Sequence, residues 1–475
     1  MPAFVSRNPF YPLCSRNFKK KTRVGLIPAN EKPTALAQNI YPCIRMQRSK
    51  FNPAQEEIIR DSSRYIQVIA AAGSGKTSTM VGFVERCISD GTDPREILVL
   101  SFTRKAAGEI KHRIQINTGQ KGVRVHTFHS FCFQSLARHH PDFQQRMPGI
   151  LLPSERNGFF RNWFRKDPSL IGGIPYELLT NPSALPEEFP KDWLPIVREE
   201  YAKFKKGQGK MDFDDLVAIF LEALEKREPW TEAVRSSLKR ILVDEFQDTN
   251  HEQLTFVKLL SDTASILVVG DDSQSIYSFR GSNVKLFLDY PKLFQGTSQH
   301  ALTTNYRSLP KIVEISTIPI DRNKSKIPKI VQAHRSGKAL VGLVKINRIS
   351  DLFPFLGQAY RFSRGELKIL CRSNHRIREY IRAGIPEELL MTIHASKGLE
   401  FHTVFVDIAD GWNVKRTSPQ EVLEEEHRIL YVALSRAKDS LVIIGSMRNS
   451  GRETAEDHFF SYFAKALPTW KKPPR

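Results

Sequence analysis

From Phe51 onward the chain alternates short β-branched apolar runs with longer stretches of helical periodicity. Ile66-Gln67-Val68-Ile69, Ile97-Leu98-Val99-Leu100, Ile241-Leu242-Val243 and Ile266-Leu267-Val268-Val269 are such runs. A continuous apolar run of about four to six residues followed by a helical pattern predicts a parallel strand buried on both faces. The same grammar returns after about residue 300, at Val341–Ile346, Lys368–Cys371, Leu390–Ile393, Val404–Val406 and Leu441–Ile444. It predicts two α/β units in tandem, with boundaries at 46–300 and 301–475. Residues 139–212 break the rhythm, being rich in Pro, Trp and charge, and are expected to form a mostly helical insertion in the first unit. No internal repeat or low-complexity tract is present.

Length and charge narrow the class. At about 150 residues per domain, 475 residues suggest roughly three domains. The chain carries 71 Lys+Arg against 51 Asp+Glu, a net charge of +20, which makes a polyanion the first partner to consider. No stretch approaches the roughly 18 apolar residues that cross a bilayer, so no membrane role is expected. The five cysteines (Cys14, Cys43, Cys87, Cys132, Cys371) are scattered, with no CxxC pair. They argue against a disulfide scaffold or zinc ribbon and for a reducing compartment. Residues 1–45 hold eight basic residues and one acidic residue, Glu31, with no sustained helical stripe. Three readings fit this extension: a transit peptide, a disordered nucleic-acid arm, or an upstream segment if translation starts at Met46. The expected location follows from that choice, bacterial cytoplasm without a real leader and organelle or nucleus with one.

The chemistry begins at Ala70-Ala71-Ala72-Gly73-Ser74-Gly75-Lys76-Thr77, between the first strand and a helix. Two glycines let backbone N–H groups curl around phosphate oxygens, the helix N-terminus adds positive potential, Lys76 neutralises phosphate charge, and Thr77 offers a hydroxyl to Mg²⁺. Residues Ala72, Gly73, Ser74, Gly75, Lys76, Thr77 and Ser78 are therefore the candidate ATP phosphate site. Ile241-Leu242-Val243-Asp244-Glu245 supplies the matching acids. Asp244, with Thr77, is assigned to the metal, and Glu245 to polarising the attacking water.

At Val243-Asp244-Glu245-Phe246-Gln247-Asp248-Thr249 the chain resembles the UvrD/Rep-type helicases of superfamily 1, and the resemblance runs from about residue 51 to 446. Asn52-Pro53-Ala54-Gln55 is similar to the family's adenine-reading motif. Ser101–Ala107, Thr127–Ser130, Asp212–Leu216, Gly270–Gly281, Asn305–Ser308, Thr392–Phe401 and Tyr431–Ala437 match further motifs in order. The resemblance implies two RecA-like P-loop NTPase domains, ATP with Mg²⁺, and 3′-to-5′ movement on single-stranded DNA. It assigns Gln274, Arg280, Arg307 and Arg436 to the γ-phosphate, Glu400 to the nucleotide, and Gln55 and Tyr306 to the adenine. Fixed guanidinium forks suit a phosphoryl group whose charge spreads in the transition state. Phe102, Thr103, Phe128, His129, Phe279, Thr392 and His394 are the implied DNA contacts, the aromatic faces accepting any base.

One departure stands out. Ala383-Gly384-Ile385-Pro386-Glu387-Glu388-Leu389 runs almost directly into the Thr392 motif, where full-length relatives carry a large mobile domain. The second unit is therefore expected to be shortened near 386–389, with DNA junctions and single strands as partners and a protein partner covering the site of the missing domain. Strand-clearing translocation without unwinding, and DNA binding without turnover, are the alternatives.

Overall fold

The computed structural model describes residues 50–166, 194–363, 365–410, 412, 418–447 and 455–474. The expectations for the 1–45 extension, for a start at Met46 and for part of the insertion, 167–193, lie outside the described residues.

The strands in chain order are β1 (Tyr65–Ala70), β2 (Ile97–Leu100), β3 (Arg124–His126), β4 (Gly149–Ile150), β5 (Lys210–Met211), β6 (Arg240–Val243), β7 (Ser265–Gly270), β8 (Ser298–Leu302), β9 (Thr304–Asn305), β10 (Gln332–Ala333), β11 (Leu340–Ile346), β12 (Leu367–Cys371), β13 (Leu390–Thr392), β14 (Phe401–Asp407) and β15 (Ala437–Ser446). They build two main parallel sheets, ordered β3-β2-β6-β7-β1-β8 and β11-β15-β14-β12-β13. Each is an α/β sheet of the RecA-like type.

The continuous apolar runs are explained by the two faces of each sheet. Ile69, Leu98, Leu100, Ile241, Val243, Ile266 and Val268 point into one core, while Ile66, Val68, Ile97, Val99, Leu242, Leu267 and Val269 point into the other. The second sheet divides likewise, with Leu343, Val404, Val406, Leu441 and Ile443 on one side and Val344, Ile369, Phe405, Val442 and Ile444 opposite. Alternate side chains leave opposite faces of a strand, so a strand covered twice needs apolar residues at every position.

Three details differ from the sequence reading. β3 and β8 are the edge strands of the first sheet, short or polar enough to escape an apolar-run criterion, and β8 runs past residue 300 to Leu302. Ile393 opens a helical turn rather than ending β13, because Thr392 Oγ1 accepts the Ala395 N–H at 3.2 Å as an N-cap. The described part of the insertion is helical (Pro153–Lys166, Leu194–Gln208) but also holds the two-residue β4–β5 ladder. Cys87, Cys132 and Cys371 are buried and free. No helix among the described residues is long and apolar enough to cross a membrane.

Candidate nucleotide and nucleic-acid site

The phosphate loop leaves the C-terminal end of β1, an interior strand between β7 and β8, and enters helix Lys76–Ser89. Gly73 (φ +67°) and Gly75 (φ +83°) take left-handed backbone that turns the loop back on itself. A Cβ on Gly73 would stand 2.7 Å from Arg307 Cβ, so glycine also permits the approach of the 305–307 segment. That segment is bonded in place: Asn305 Nδ2 donates to Ala72 O at 2.9 Å and Tyr306 N to Gly73 O at 2.9 Å. From farther along the chain, Tyr431 Oη accepts the Ala72 N–H at 3.4 Å.

Gln55 and Tyr306 are linked through Asn52. Asn52 and Gln55 form a reciprocal capping box on helix Pro53–Arg60, with Asn52 Nδ2 donating to Tyr306 Oη at 2.7 Å. The Gln55 carboxamide is thereby oriented, and its Nε2 donates to Ser74 O at 3.3 Å.

Behind the loop lies a buried acidic cluster. Lys76 Nζ pairs with Glu245 Oε1 at 3.2 Å, and Lys397 Nζ pairs with Asp248 while donating to Gln274 O at 2.7 Å. Glu245 holds left-handed backbone (φ 53°, ψ 42°), unusual for a side-chain-bearing residue and costing about 1–3 kcal/mol, a strain commonly found at working sites. Burial opposes ionisation of Glu245, but Lys76, Lys397 and the Gln247 amide (2.6 Å) outweigh it and hold the carboxyl low. Burial, with Glu245 next to it, pushes Asp244 well up. Burial likewise pushes Asp248 up to about 6 against the pull of Lys397. Two lysines thus face three carboxylates, and Asp244, beside ionised Glu245, is held back from ionising for want of a further cation.

A divalent cation fits this deficit. Asp244 and the Thr77 hydroxyl are hard oxygen donors, and Ser74 Oγ in the loop is buried without a hydrogen-bond partner. No group of three or more His, Cys, Asp or Glu able to hold a metal occurs among the described residues. Such a donor set suits Mg²⁺, which keeps waters and phosphate oxygens in its shell, and not a metal caged by protein.

The arginines divide. Arg436 is fully buried; its guanidinium donates to Val432 O (2.9 Å), Leu399 O (3.2 Å) and Gln274 Oε1 (3.1 Å). Burial, then the neighbouring Arg307, lowers it to about 9. Arg307 pairs with Glu400 at 2.7 Å and donates to Ser435 O at 3.0 Å. Glu400 also pairs with Lys438 at 3.0 Å. Arg280 departs from the γ-phosphate assignment. It is exposed, and its guanidinium lies over the rings of Tyr277 (5.2 Å) and Phe279 (5.5 Å). It belongs with the aromatic residues, because its turn Ser278–Arg280 projects from the loop beyond the buried Asp271–Ile276 segment.

Those aromatic residues form one cluster across both sheets. Phe102 stacks on Tyr277 (5.2 Å, 20°), Tyr277 meets Phe279 (6.0 Å), and His394 stands edge-on to Phe279 (5.5 Å). Phe102 and His394 lie just past the ends of β2 and β13, and Phe279 lies farther along the loop after β7, on the side where α/β sheets carry their sites. Thr103 and Thr392 each cap the helix that follows. Phe128 does not belong: it is 4% exposed and packs edge-on against Phe256 in the core. Its neighbour His129 stays half-exposed, against Phe213 and 3.9 Å from Asp214.

Sequence reading passed over four residues that the structure brings to the seam: Asn305, Lys329, Lys397 and Tyr431. Asn305, Lys397 and Tyr431 lie inside the quoted motifs, where their position was the available signal; Lys329 lies outside every motif. Replacing Lys397 by Met should destabilise the fold by about 3–5 kcal/mol, since Asp248 (1% exposed) loses its counter-ion. The sign with pH follows from that loss. An unpaired buried Asp248 takes a proton that it lacks when unfolded, so the deficit should grow as pH rises. Urea denaturation of both forms at pH 5.5 and pH 8 measures it.

Two parallel sheets, with the phosphate loop on one and Arg436, just ahead of β15 in the other, reaching across to Gln274, define a tandem RecA-like P-loop NTPase. The family model described as UvrD/REP helicase N-terminal domain matches residues 51–170 and 187–295, and UvrD-like helicase C-terminal domain matches 381–448. Together they cover more than half of the chain. A probable DNA helicase of Mycoplasma pneumoniae is 27% identical, over 86% of this chain and 88% of its own. The ATP-dependent DNA helicase PcrA of Bacillus subtilis is 31% identical over 59% of this chain and 41% of its own length, and DNA helicase II of Escherichia coli 30% over 58% and 41%. The match thus spans about two-fifths of the PcrA and helicase II chains. The protein belongs to the UvrD/Rep-type helicases of superfamily 1.

Proposed function

We propose that the chain is an ATP-driven motor that moves 3′ to 5′ along single-stranded DNA and couples hydrolysis to strand separation. The observation that carries this reading is the shared seam. Lys76 and Glu245 on the first sheet lie with Gln274, which Arg436 from the second sheet contacts at 3.1 Å, while Tyr431 reaches the phosphate loop itself. A nucleotide placed there would touch both sheets, so its binding and loss would change how they fit together.

Each residue then has a task. Gln55 and Tyr306 would hold the base; Thr77 and Asp244 would hold Mg²⁺, which supplies positive charge at the phosphates. Phosphate oxygens compete for Lys76 and free Glu245, whose ionised carboxylate then accepts a proton from water. Gln274, Arg307 and Arg436 stabilise charge on the transferring group. Glu400 orients Arg307.

DNA as the polymer is supported by the +20 charge and by the Phe102–Tyr277–Phe279–His394 cluster with Arg280 at its edge. Phe279→Ala should weaken single-strand binding roughly five- to hundredfold without changing nucleotide affinity, whereas Phe128→Ala should lower stability instead. Fluorescence anisotropy of a labelled oligonucleotide separates the two.

A second reading, a translocase that clears proteins without unwinding, is favoured by the short 383–389 connection between helix Asn374–Arg382 and β13. One experiment tests both: ATPase stimulation by single strands alongside unwinding of 3′- and 5′-tailed duplexes. Unwinding of the 3′-tailed substrate alone is expected. Stimulation without unwinding selects the second reading, and stimulation by neither DNA form rejects both.

A further inference from the structure

The residues between helix Pro310–Thr317 and β10 contain no recognisable motif, yet they form a strap across the seam. On one side Asn323 Nδ2 donates to Glu424 O (3.0 Å), and the Lys324 N–H donates to Glu424 Oε1 (2.8 Å). Arg428 donates to Ser325 O (2.9 Å). Glu424 and Arg428 sit on helix Gln420–Leu434, which leads directly to Arg436. On the other side the Ile327 N–H donates to Asp272 Oδ2 (3.2 Å), and Lys329 Nζ lies 2.6 Å from both Asp271 Oδ1 and Asp272 Oδ1. The Lys329 side chain is 7% exposed, and Asp271 is fully buried.

Asp271 is occupied at both oxygens. Oδ1 takes Lys329 and the Ser273 N–H (3.2 Å), while Oδ2 accepts Gln274 Nε2 at 2.7 Å. That bond sets which way the Gln274 carboxamide faces: its Nε2 is committed to Asp271, so Oε1 is turned to Arg436. A buried carboxylate without its cation would either shift, which moves the acceptor away from Gln274, or take up a proton, which replaces the charge-assisted bond to Gln274 Nε2 by a weaker neutral one.

We propose that Lys329 is a positioning residue for hydrolysis, acting through Asp271 to fix Gln274 between the phosphate site and Arg436. It touches neither nucleotide nor DNA. Through the strap it also ties the placement of Gln274 to the helix that leads into Arg436, so the two groups reach the γ-phosphate together. This rests on the ATPase reading above.

The test is a double-mutant cycle of Lys329→Met with Gln274→Ala, read as kcat and KM for strand-stimulated ATP hydrolysis and as strand affinity without nucleotide. Lys329→Met is expected to lower kcat about ten- to hundredfold while KM for ATP and strand affinity change less than about threefold. The double variant should be no slower than Gln274→Ala alone, because both substitutions disable one device. Multiplicative losses, or a kcat within about twofold of the unsubstituted chain, overturn the inference and leave the ATPase reading intact. An unsubstituted chain without strand-stimulated hydrolysis overturns both. Should Lys329→Met fail to fold with two unpaired acids, the same cycle is run in an Asp272→Asn background. That change restores the local charge balance without touching the Asp271–Gln274 bond, and the same outcomes apply.

Discussion

Lys76→Ala is expected to reduce strand-stimulated ATP hydrolysis by about a thousandfold, to the level of the unstimulated background. The ammonium stands at the start of helix Lys76–Ser89, behind a loop whose two left-handed glycines aim backbone N–H groups at the phosphate position. Without nucleotide it is held by Glu245 at 3.2 Å, with its side chain 12% exposed. In so dry a site a charge facing developing negative charge is worth about 10²–10³ in rate. Truncation also removes the nearest cation from Glu245, which weakens the hold on its low pKa. Steady-state hydrolysis with and without a single-stranded oligonucleotide measures the effect. Residual stimulated turnover within tenfold of the unsubstituted chain would show that the loop is not the hydrolytic site. Undetectable turnover in the unsubstituted chain would favour a remnant that binds DNA without hydrolysis.

Arg436→Lys should be nearly as damaging, for a different reason. The positive charge and much of the stem are kept, so any loss reports on the guanidinium fork. Nε and Nη1 are used on Val432 O and Leu399 O, leaving Nη2 to reach Gln274 Oε1. An ammonium cannot satisfy that spread of acceptors and still face the phosphoryl group. Arginines that act on a transferring phosphoryl group contribute about 10³–10⁵ in rate, so a fall in kcat of about a thousandfold is expected, with KM for ATP shifting only a few-fold. A matching fall in nucleotide affinity, measured with a fluorescent analogue, would instead place Arg436 in ground-state binding. The Arg436 position on the second sheet makes a further point. Its loss should also weaken the nucleotide dependence of strand affinity, because one of the contacts that link the two sheets at the phosphate site is then removed.

The parts of this protein legible in the amino-acid order are those made by neighbours in the chain. Nine strands could be read from apolar runs because covering both faces of a parallel sheet demands apolar residues at successive positions. The phosphate loop could be read because glycine, lysine and threonine act there within one turn of each other. β3 and β8 could not: β3 is three residues long, and β8 is a half-covered edge that carries polar Gln299 and His300, whereas the edge strands β11 and β13 kept apolar runs. Within the aromatic residues, Phe102 and Phe128 look alike in sequence, each in a short polar motif. Helix Phe128–His139 packs its first residue into the core, whereas Phe102 lies on the loop after β2 and stacks on Tyr277.

Local order therefore specified the strands, the loop that can grip phosphate and the acids at the end of β6, because propensity, burial pattern and turn chemistry act over a few residues. The fit across the seam was set by folding alone. Lys397 meets Asp248, Arg436 meets Gln274, Tyr431 meets Ala72, and Lys329 meets Asp271, all between residues far apart in the chain. Each pairing exists because packing removes both partners from water, so their charges and hydrogen bonds must be answered by groups that the fold brings in from elsewhere in the chain.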